Sequence, residues 1–398
     1  LNYMYKYFLL FLLLLNISTI FCIEIRYKYP KDSILYIENI SNFNQFVNGE
    51  FILQSRIKEI SYIEHKSANK NLSNFSKTSY ILEERKSVTG SVYAVKENYK
   101  YDYSKDTQGK TFGLEGRLGL HNFLIFPKKD LKIGESWLNE VFYNVNLFGN
   151  NVPFMQINFD IVFRLLNTED VSGDKICYIS GNTLFTKDKN RDIFIKYNIV
   201  KYLGYSSYLI KFNISQGRIL SIEELFDYSY LLEDGTLIEN SGTANFTYEL
   251  PPPPRKDEIE RMKEIKRKKV NIKDVNINEN ADNTVTISVE KIQFKPDSAI
   301  LTDEELKRID EIANLLLNYK SNNIVIVGHT ANVGNKNIQK RLSEERAKVV
   351  VEYLIKNHGF SNSHLSYLGK GGEEPISDNS TEEGKAKNRR VEIIILRK

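Results

Sequence analysis

Four of the chain's nine prolines stand consecutively at positions 251–254, and they divide a 398-residue sequence into two parts of different periodicity. Such a run is stiff polyproline II, a spacer rather than a packed element. A charged stretch follows at 255–269, with Ile259, Met262 and Ile265 at spacing three. It reads as a solvated connector helix; the alternative is a basic helix laid on an anionic surface. We therefore expect residues 251–270 to form a proline-rich, charged linker between two domains, in line with roughly 150 residues per domain.

Upstream, residues 23–250 read as an all-β domain. The clearest strand is 157–165, where Ile157, Phe159, Ile161, Phe163 and Leu165 alternate with Asn158, Asp160, Val162 and Arg164. That is a period of two. Residues 194–212 and 222–232 repeat the pattern less cleanly. Turn signals separate the runs at Asn48-Gly49, Ser172-Gly173-Asp174, Gln216-Gly217 and Asp234-Gly235. The chain holds 24 Tyr and 22 Phe against one Trp and three Met, a composition that suits sheet. An antiparallel sandwich, half-barrel or barrel is expected. The stretch from Phe126-Pro127 to Lys132-Ile133-Gly134-Glu135-Ser136-Trp137 resembles a short signature of exported β-rich bacterial domains. Its plainer reading is a tight turn at Gly134 before a strand whose Trp137 fills the core.

The N-terminus has the form of an export signal, residues 1–22. Lys6 precedes an unbroken apolar run at 8–15, too short to span a bilayer comfortably, and polar sequence begins at Glu24. Three outcomes are open: Cys22 carries a lipid as the first residue of a lipoprotein, cleavage falls just after it in ordinary secretion, or the run stays as an anchor. In each the bulk of the chain leaves the cytoplasm. The other cysteine, Cys177, is expected as a buried free thiol.

Downstream, residues 271–398 alternate β and α patterns, which makes the whole chain α+β. Residues 284–289 alternate as a strand. Thr302-Asp303-Glu304-Glu305 forms a capping box ahead of Leu306, Ile309, Ile312, Ala313 and Leu316 at helical spacing. Residues 323–327 form a short buried strand. A second helix is expected over 337–357, with Ile338, Leu342, Val349, Tyr353 and Leu354 as its apolar positions. Strands are expected at 365–368 and 391–396, and a further helix start at Thr381-Glu382-Glu383.

Phe294 with Ser298 and Leu301, then IVIVGHTANVG (324–334), RLSEERAKVVVEYL (341–354), LGKGGEEP (368–375) and NRRVEIII (388–395), resemble in order and spacing the OmpA-like peptidoglycan-binding domain. The resemblance covers about the last 120 residues, under a third of the chain, and implies a βαβαβ mixed sheet with helices on one side. It also implies a periplasmic domain that grips the peptidoglycan stem peptide without covalent chemistry. In the family one Arg takes the carboxylate of the stem's diamino acid and one Asp takes its ammonium. The Arg falls on Arg346, whose planar fork suits bidentate bonding to a carboxylate. Thr330, Gly334, Gln339, Leu342 and Arg390 fall on further positions of the site motifs, and His329 reads as ordering the loop. The family Asp is Ala331 here, so half of the charge clamp is missing. Three explanations stand side by side. The wall carries a different diamino acid; another acid (Glu344, Glu345, Glu373 or Glu374) replaces the Asp; or the fold has lost strong wall binding.

The remaining composition excludes several classes. With 55 basic and 51 acidic residues the formal charge is +4, too small to argue for nucleic acid. His65, His121, His329, His358 and His364 lack metal-ligand spacing, and no Ser/His/Asp set, phosphate loop or carboxylate pair is visible. No enzyme, cofactor or metal is expected. The expected function is a structural protein of the outer membrane or periplasm. It would tether the envelope to peptidoglycan, its partners being the stem peptide and the outer membrane, reached by a lipid or by the N-terminal domain. The alternative is an outer-membrane barrel pore with a wall-anchoring tail. Charges such as Lys58, Glu59, Lys187, Asp188, Lys189 and Arg191 crowd the β region and speak against it.

Overall fold

The computed structural model describes residues 22–29, 34–69, 72–87, 90–114, 119–145, 155–188, 199–250, 272–279, 285–292, 294, 299–320, 322–361 and 364–396. The apolar run of the export signal, the linker 251–270 and Ser298 lie outside them.

The alternating half builds one sheet, not two. Its strands are β1 (Ile34–Val47), β2 (Glu50–Ala68), β3 (Leu72–Ser87), β4 (Gly90–Asp106), β5 (Thr111–Phe112), β6 (Gly119–His121), β7 (Ser136–Val145), β8 (Met155–Val171), β9 (Asp174–Asp188), β10 (Ile199–Asn213), β11 (Arg218–Leu232) and β12 (Leu237–Glu249). Among the described residues they form a twelve-stranded sheet in the order β5-β4-β3-β2-β1-β12-β11-β10-β9-β8-β7-β6. Every pairing is antiparallel. The sandwich alternative is thereby removed. Hairpin chemistry explains the connections: Asn48 and Gly49 take φ of 51° and 81°, and Ser172 and Gly173 take 52° and 88°. Two successive positive φ values match the twist of flanking strands.

The two ends of the sheet are tied by Asn122, the residue after β6, whose Oδ1 accepts from the backbone N–H and hydroxyl of Thr111 in β5, both at 2.9 Å. The sheet is thus nearly a barrel, and its inner face is filled. Ile157, Phe159, Ile161, Phe163 and Leu165 all point inward and are buried, as the period of two requires. They pack with Tyr202, Phe212 and the extended segment carrying Ile23, Ile25 and Tyr27. Trp137 packs against the same core and donates its indole N–H to Ile125 O at 2.9 Å, while Gly134 turns at φ 86°. Cys177 is a buried free thiol, and burial pushes its pKa up to about 12.

The second unit contains β13 (Val275–Glu279), β14 (Val285–Val289), α1 (Asp303–Leu316), β15 (Ile324–Gly328), α2 (Lys336–His358), β16 (Leu365–Gly369), α3 (Glu382–Asn388) and β17 (Val391–Ile395). Its sheet runs β13-β14-β17-β15-β16, with β15 and β16 parallel and the other pairs antiparallel. A crossover helix is what a parallel neighbour demands, and α2 supplies it. Thr302 caps α1 by accepting from Glu305 N, Asn335 caps α2, and Thr381 caps α3. The helices cover one face through Ile309, Ile312, Ala313, Leu316, Ala347, Val350, Val351 and Leu354. One expectation fails here: Ile338 is exposed. The buried stripe of α2 runs Gln339, Ser343, Ala347, Val350, Val351 and Leu354, so the first turns bury polar groups against loops rather than an apolar side chain.

The other face of this sheet is also covered. Val325, Val327, Leu368, Ile394 and Leu396 form a buried cluster with Ile60, Tyr62 and Tyr80 from β2 and β3. The two units are therefore packed together, where a spacer reading of the prolines has them held apart.

Candidate functional site

The motif loops converge at the C-terminal ends of β15 and β16. Parallel strands present their loops on one side, and the N-terminus of a crossover helix lies beside them. Gly328 and Gly369 are partners in the ladder. Their missing side chains let α2 rest directly on the sheet: a Cβ on Gly328 would lie 2.1 Å from Ser343 O, and one on Gly369 2.5 Å from Lys340 O. A cavity of about 310 Å³ opens where the loops meet the helix, lined by Asn332, Lys336, Gln339, Lys370, Glu373 and Pro375 with Gly371 and Gly372 at its back.

Buried amides hold these loops. Gln339 donates from Nε2 to Gly334 O and accepts at Oε1 from Gly372 N, both at 3.1 Å, so one side chain braces both loops. Ser343 Oγ accepts from Gly371 N at 2.9 Å. Thr330 N donates to Gly371 O. Asn388, fully buried, accepts from Ile376 N and Ser377 N and donates to Ser377 O and Asn379 Oδ1. Asn379 Oδ1 in turn accepts from Asn332 N at 3.0 Å. Ser343 and Asn388 are loop supports that sequence reasoning passed over, although both lie inside the quoted motifs.

A charged network lies behind the loops. Arg390 is buried, with Nε 2.7 Å from Glu392 Oε1 and Nη1 donating to Glu374 O at 3.0 Å. His329 Nε2 lies 3.6 Å from Glu392 Oε2. Burial pushes the Glu392 carboxyl up, but His329 and Arg390 outweigh it and bring it down to about 2. A carboxyl whose folded value lies below its unfolded value stabilises the fold above the unfolded value, and that stability fades as pH falls toward the folded one. Chemical denaturation of the chain between pH 6 and 2 is therefore expected to show the C-terminal unit losing on the order of 2–3 kcal/mol as pH drops from about 5 toward about 2. Glu392→Gln should flatten that slope; an unchanged slope removes Glu392 as its source.

Not all expected residues gather at this cavity. Gln339 lines it, and Gly334 and Thr330 sit in its framing loop. Ala331 is buried and does not line it. Arg390 supports from behind. Arg346 lies elsewhere on α2, its guanidinium 4.6 Å from the centroid of the Phe294 ring. It is seven residues beyond Gln339 on the same helix face, with half-buried Leu342 between, which places it about 10 Å along the axis. Of the four candidate replacement acids, Glu373 lines the cavity, Glu374 pairs with Lys370 at 3.1 Å, Glu345 lies 3.7 Å from Arg341, and Glu344 is exposed. Cys22 is exposed, next to Ile23 in its bridge with Leu131.

Comparison with known proteins places this site in a family. The model of the OmpA family matches residues 293–389. The chain is 38% identical over 104 residues to the peptidoglycan-binding protein ArfA of Mycobacterium bovis, covering 26% of this chain and 32% of that protein. It is 33% identical over 121 residues to the probable lipoprotein YiaD of Escherichia coli K12, covering 30% of this chain and 55% of that one. The solved structure of an outer membrane protein from Borrelia burgdorferi B31 is 37% identical, covering 31% of this chain and 97% of its own, with a TM-score of 0.26. The chain thus spans about a third to a half of the curated relatives named here. Residues 293–389 of this chain are an OmpA-family domain.

Proposed function

We propose that this chain is a non-catalytic envelope protein whose C-terminal domain grips the peptide stem of peptidoglycan. The observation that carries the reading is one helix face serving two sites. At its N-terminal end the cavity offers Lys336, Lys370 and Glu373; two turns on, Arg346 stacks on Phe294. An extended stem peptide spans about 10 Å with three residues, so one carboxylate of the stem reaches Arg346 while a cationic group some three residues away along the stem meets Glu373. Glu373 then holds a cationic group of the stem other than the ammonium beside the Arg346-bound carboxylate, so the acid absent at Ala331 is not replaced in place. The name of the Mycobacterium bovis relative, a peptidoglycan-binding protein, supports the ligand class. The N-terminal domain at 23–250, the linker at 251–270 and the site at Arg346, Thr330, Gly334, Gln339, Leu342 and Arg390 complete the proposal. The chain is held at the outer membrane or in the periplasm, through a lipid on Cys22 or through the N-terminal domain. An aqueous pore fits less well, because Phe126, Phe163, Tyr202 and Phe212 fill the interior of the near-barrel.

The full chain in mild detergent is expected to co-sediment with purified sacculi. Arg346→Ala should weaken retention about 10-fold or more, as loss of a charge-assisted hydrogen bond of about 1.5–3 kcal/mol requires. Glu373→Gln should weaken it less, its carboxylate being exposed. Retention of Arg346→Ala equal to that of the parent removes Arg346 from the site; no sedimentation of the parent chain ends the reading.

A further inference from the structure

A sheet with helices on one face can leave its other face to water, and its strands then alternate apolar and polar. The C-terminal sheet does not. Ile324, Ile326, Leu365, Ile393 and Ile395 face the helices, but the alternate residues Val325, Val327, Leu368 and Ile394 are apolar too. With Leu396 they are at most 6% exposed. Their cover is the outward face of the N-terminal sheet, where Ile60 of β2, Tyr62 of β2 and Tyr80 of β3 are likewise buried. Tyr62 sits edge-on to Tyr36 at 5.6 Å and to Tyr80 at 6.5 Å, so the aromatic row is set before the second unit is laid on it. Farther round, the outward face of the same sheet is open, with Leu184 75% exposed. The burial at Ile60, Tyr62 and Tyr80 is therefore local to the contact. Strand β16, the edge of the C-terminal sheet, runs beside β4, which covers an edge that would otherwise offer unpaired backbone.

We propose that the second face of the C-terminal sheet is a docking surface whose partner is the outward face of β1–β3 in the same chain, and that the two units work as one rigid bracket. The docked strands β15 and β16 end in the cavity loops, so the site is held at a fixed position relative to the N-terminal sheet. Pull on the wall then passes through packed side chains and not through the linker. The docking rests on packing alone; this mechanical consequence rests on the wall-binding reading.

The test places spin labels on the full chain at two exposed positions, Leu184→Cys and Leu317→Cys, with Cys22→Ser to remove the other exposed thiol. A docked chain gives one narrow distance distribution, and lengthening the linker by about twenty Gly/Ser residues leaves it in place, although a free tether of that composition would broaden it. Tyr62→Ser with Tyr80→Ser should broaden the distribution while the labelled chain still sediments with sacculi. A broad distribution in the parent, or one that shifts with linker length, overturns the docking. A narrow distribution in a chain that no longer sediments leaves the docking standing and removes the wall-binding reading instead.

Discussion

Asn388→Leu is expected to cost the C-terminal domain about 3–5 kcal/mol and to abolish retention on sacculi. The side chain makes four hydrogen bonds, three of them to the backbone of residues 376 and 377. Leucine has the same branched arrangement of heavy atoms, with bulkier methyl groups, and makes none. Each bond is worth about 1 kcal/mol net, and each stranded buried partner adds about 1–3 kcal/mol. Partial exposure of residues 376–379 lets water satisfy some of them, which keeps the total below the simple sum. The functional loss follows from the next link. Asn388 holds Asn379, and Asn379 holds the backbone of Asn332 at the cavity wall. Asn388→Asp keeps the two acceptor bonds and should fall between. The measurement is urea denaturation beside sacculus sedimentation. A leucine variant that matches the parent in both would mean that these loops are held by something else.

The second large effect belongs to Gly328. Valine there would drive its Cβ to 2.1 Å from Ser343 O, which is backbone and cannot swing aside. The helix must lift from the sheet along the stretch where Ala347 and Val350 are fully buried. Overpacking of this kind costs about 1–3 kcal/mol, and more where backbone must move. We expect about 3 kcal/mol or more for Gly328→Val, and most of that for Gly328→Ala, since the first added carbon makes the clash. Lifting α2 also draws Ser343 from Gly371 and Gln339 from Gly372, so the cavity should lose its shape. Thermal unfolding followed by circular dichroism reads the first effect. Amide exchange at residues 370–373 reads the second, through faster exchange. A stable Gly328→Ala chain with protected loop amides would refute the close approach of helix and strand.

Much of this architecture was legible in advance where the signal is local. The alternation at 157–165 identified a strand and its buried side, because successive side chains point to opposite faces. Asn48-Gly49 marked a hairpin, because few other pairs accept positive φ at both positions. Thr302 and Thr381 marked helix starts, because their hydroxyls reach a backbone N–H only three residues away. The motif glycines and Gln339 pointed to the cavity. Ile338 misled because α2 begins among polar loops, so its apolar periodicity describes the core only from Ala347 onward. Asn388 and Ser343 were passed over as supports because a polar residue in a motif carries no mark of whether it bonds a ligand or a distant backbone.

The amino-acid sequence by itself determined the division into a β part and an α/β part, the caps and turns, and the family of residues 293–389, since each depends on neighbours along the chain or on a motif of fixed spacing. Only the tertiary structure decided that the strands make one nearly closed sheet, that Arg346 stacks on Phe294 about two helical turns from the cavity, and that Tyr62 and Tyr80 meet Val327 and Leu368. Those outcomes join residues far apart in the chain, up to some 300 positions for the last. Burial of an apolar face is non-directional, so a hydrophobic pattern shows that a face is covered without naming what covers it.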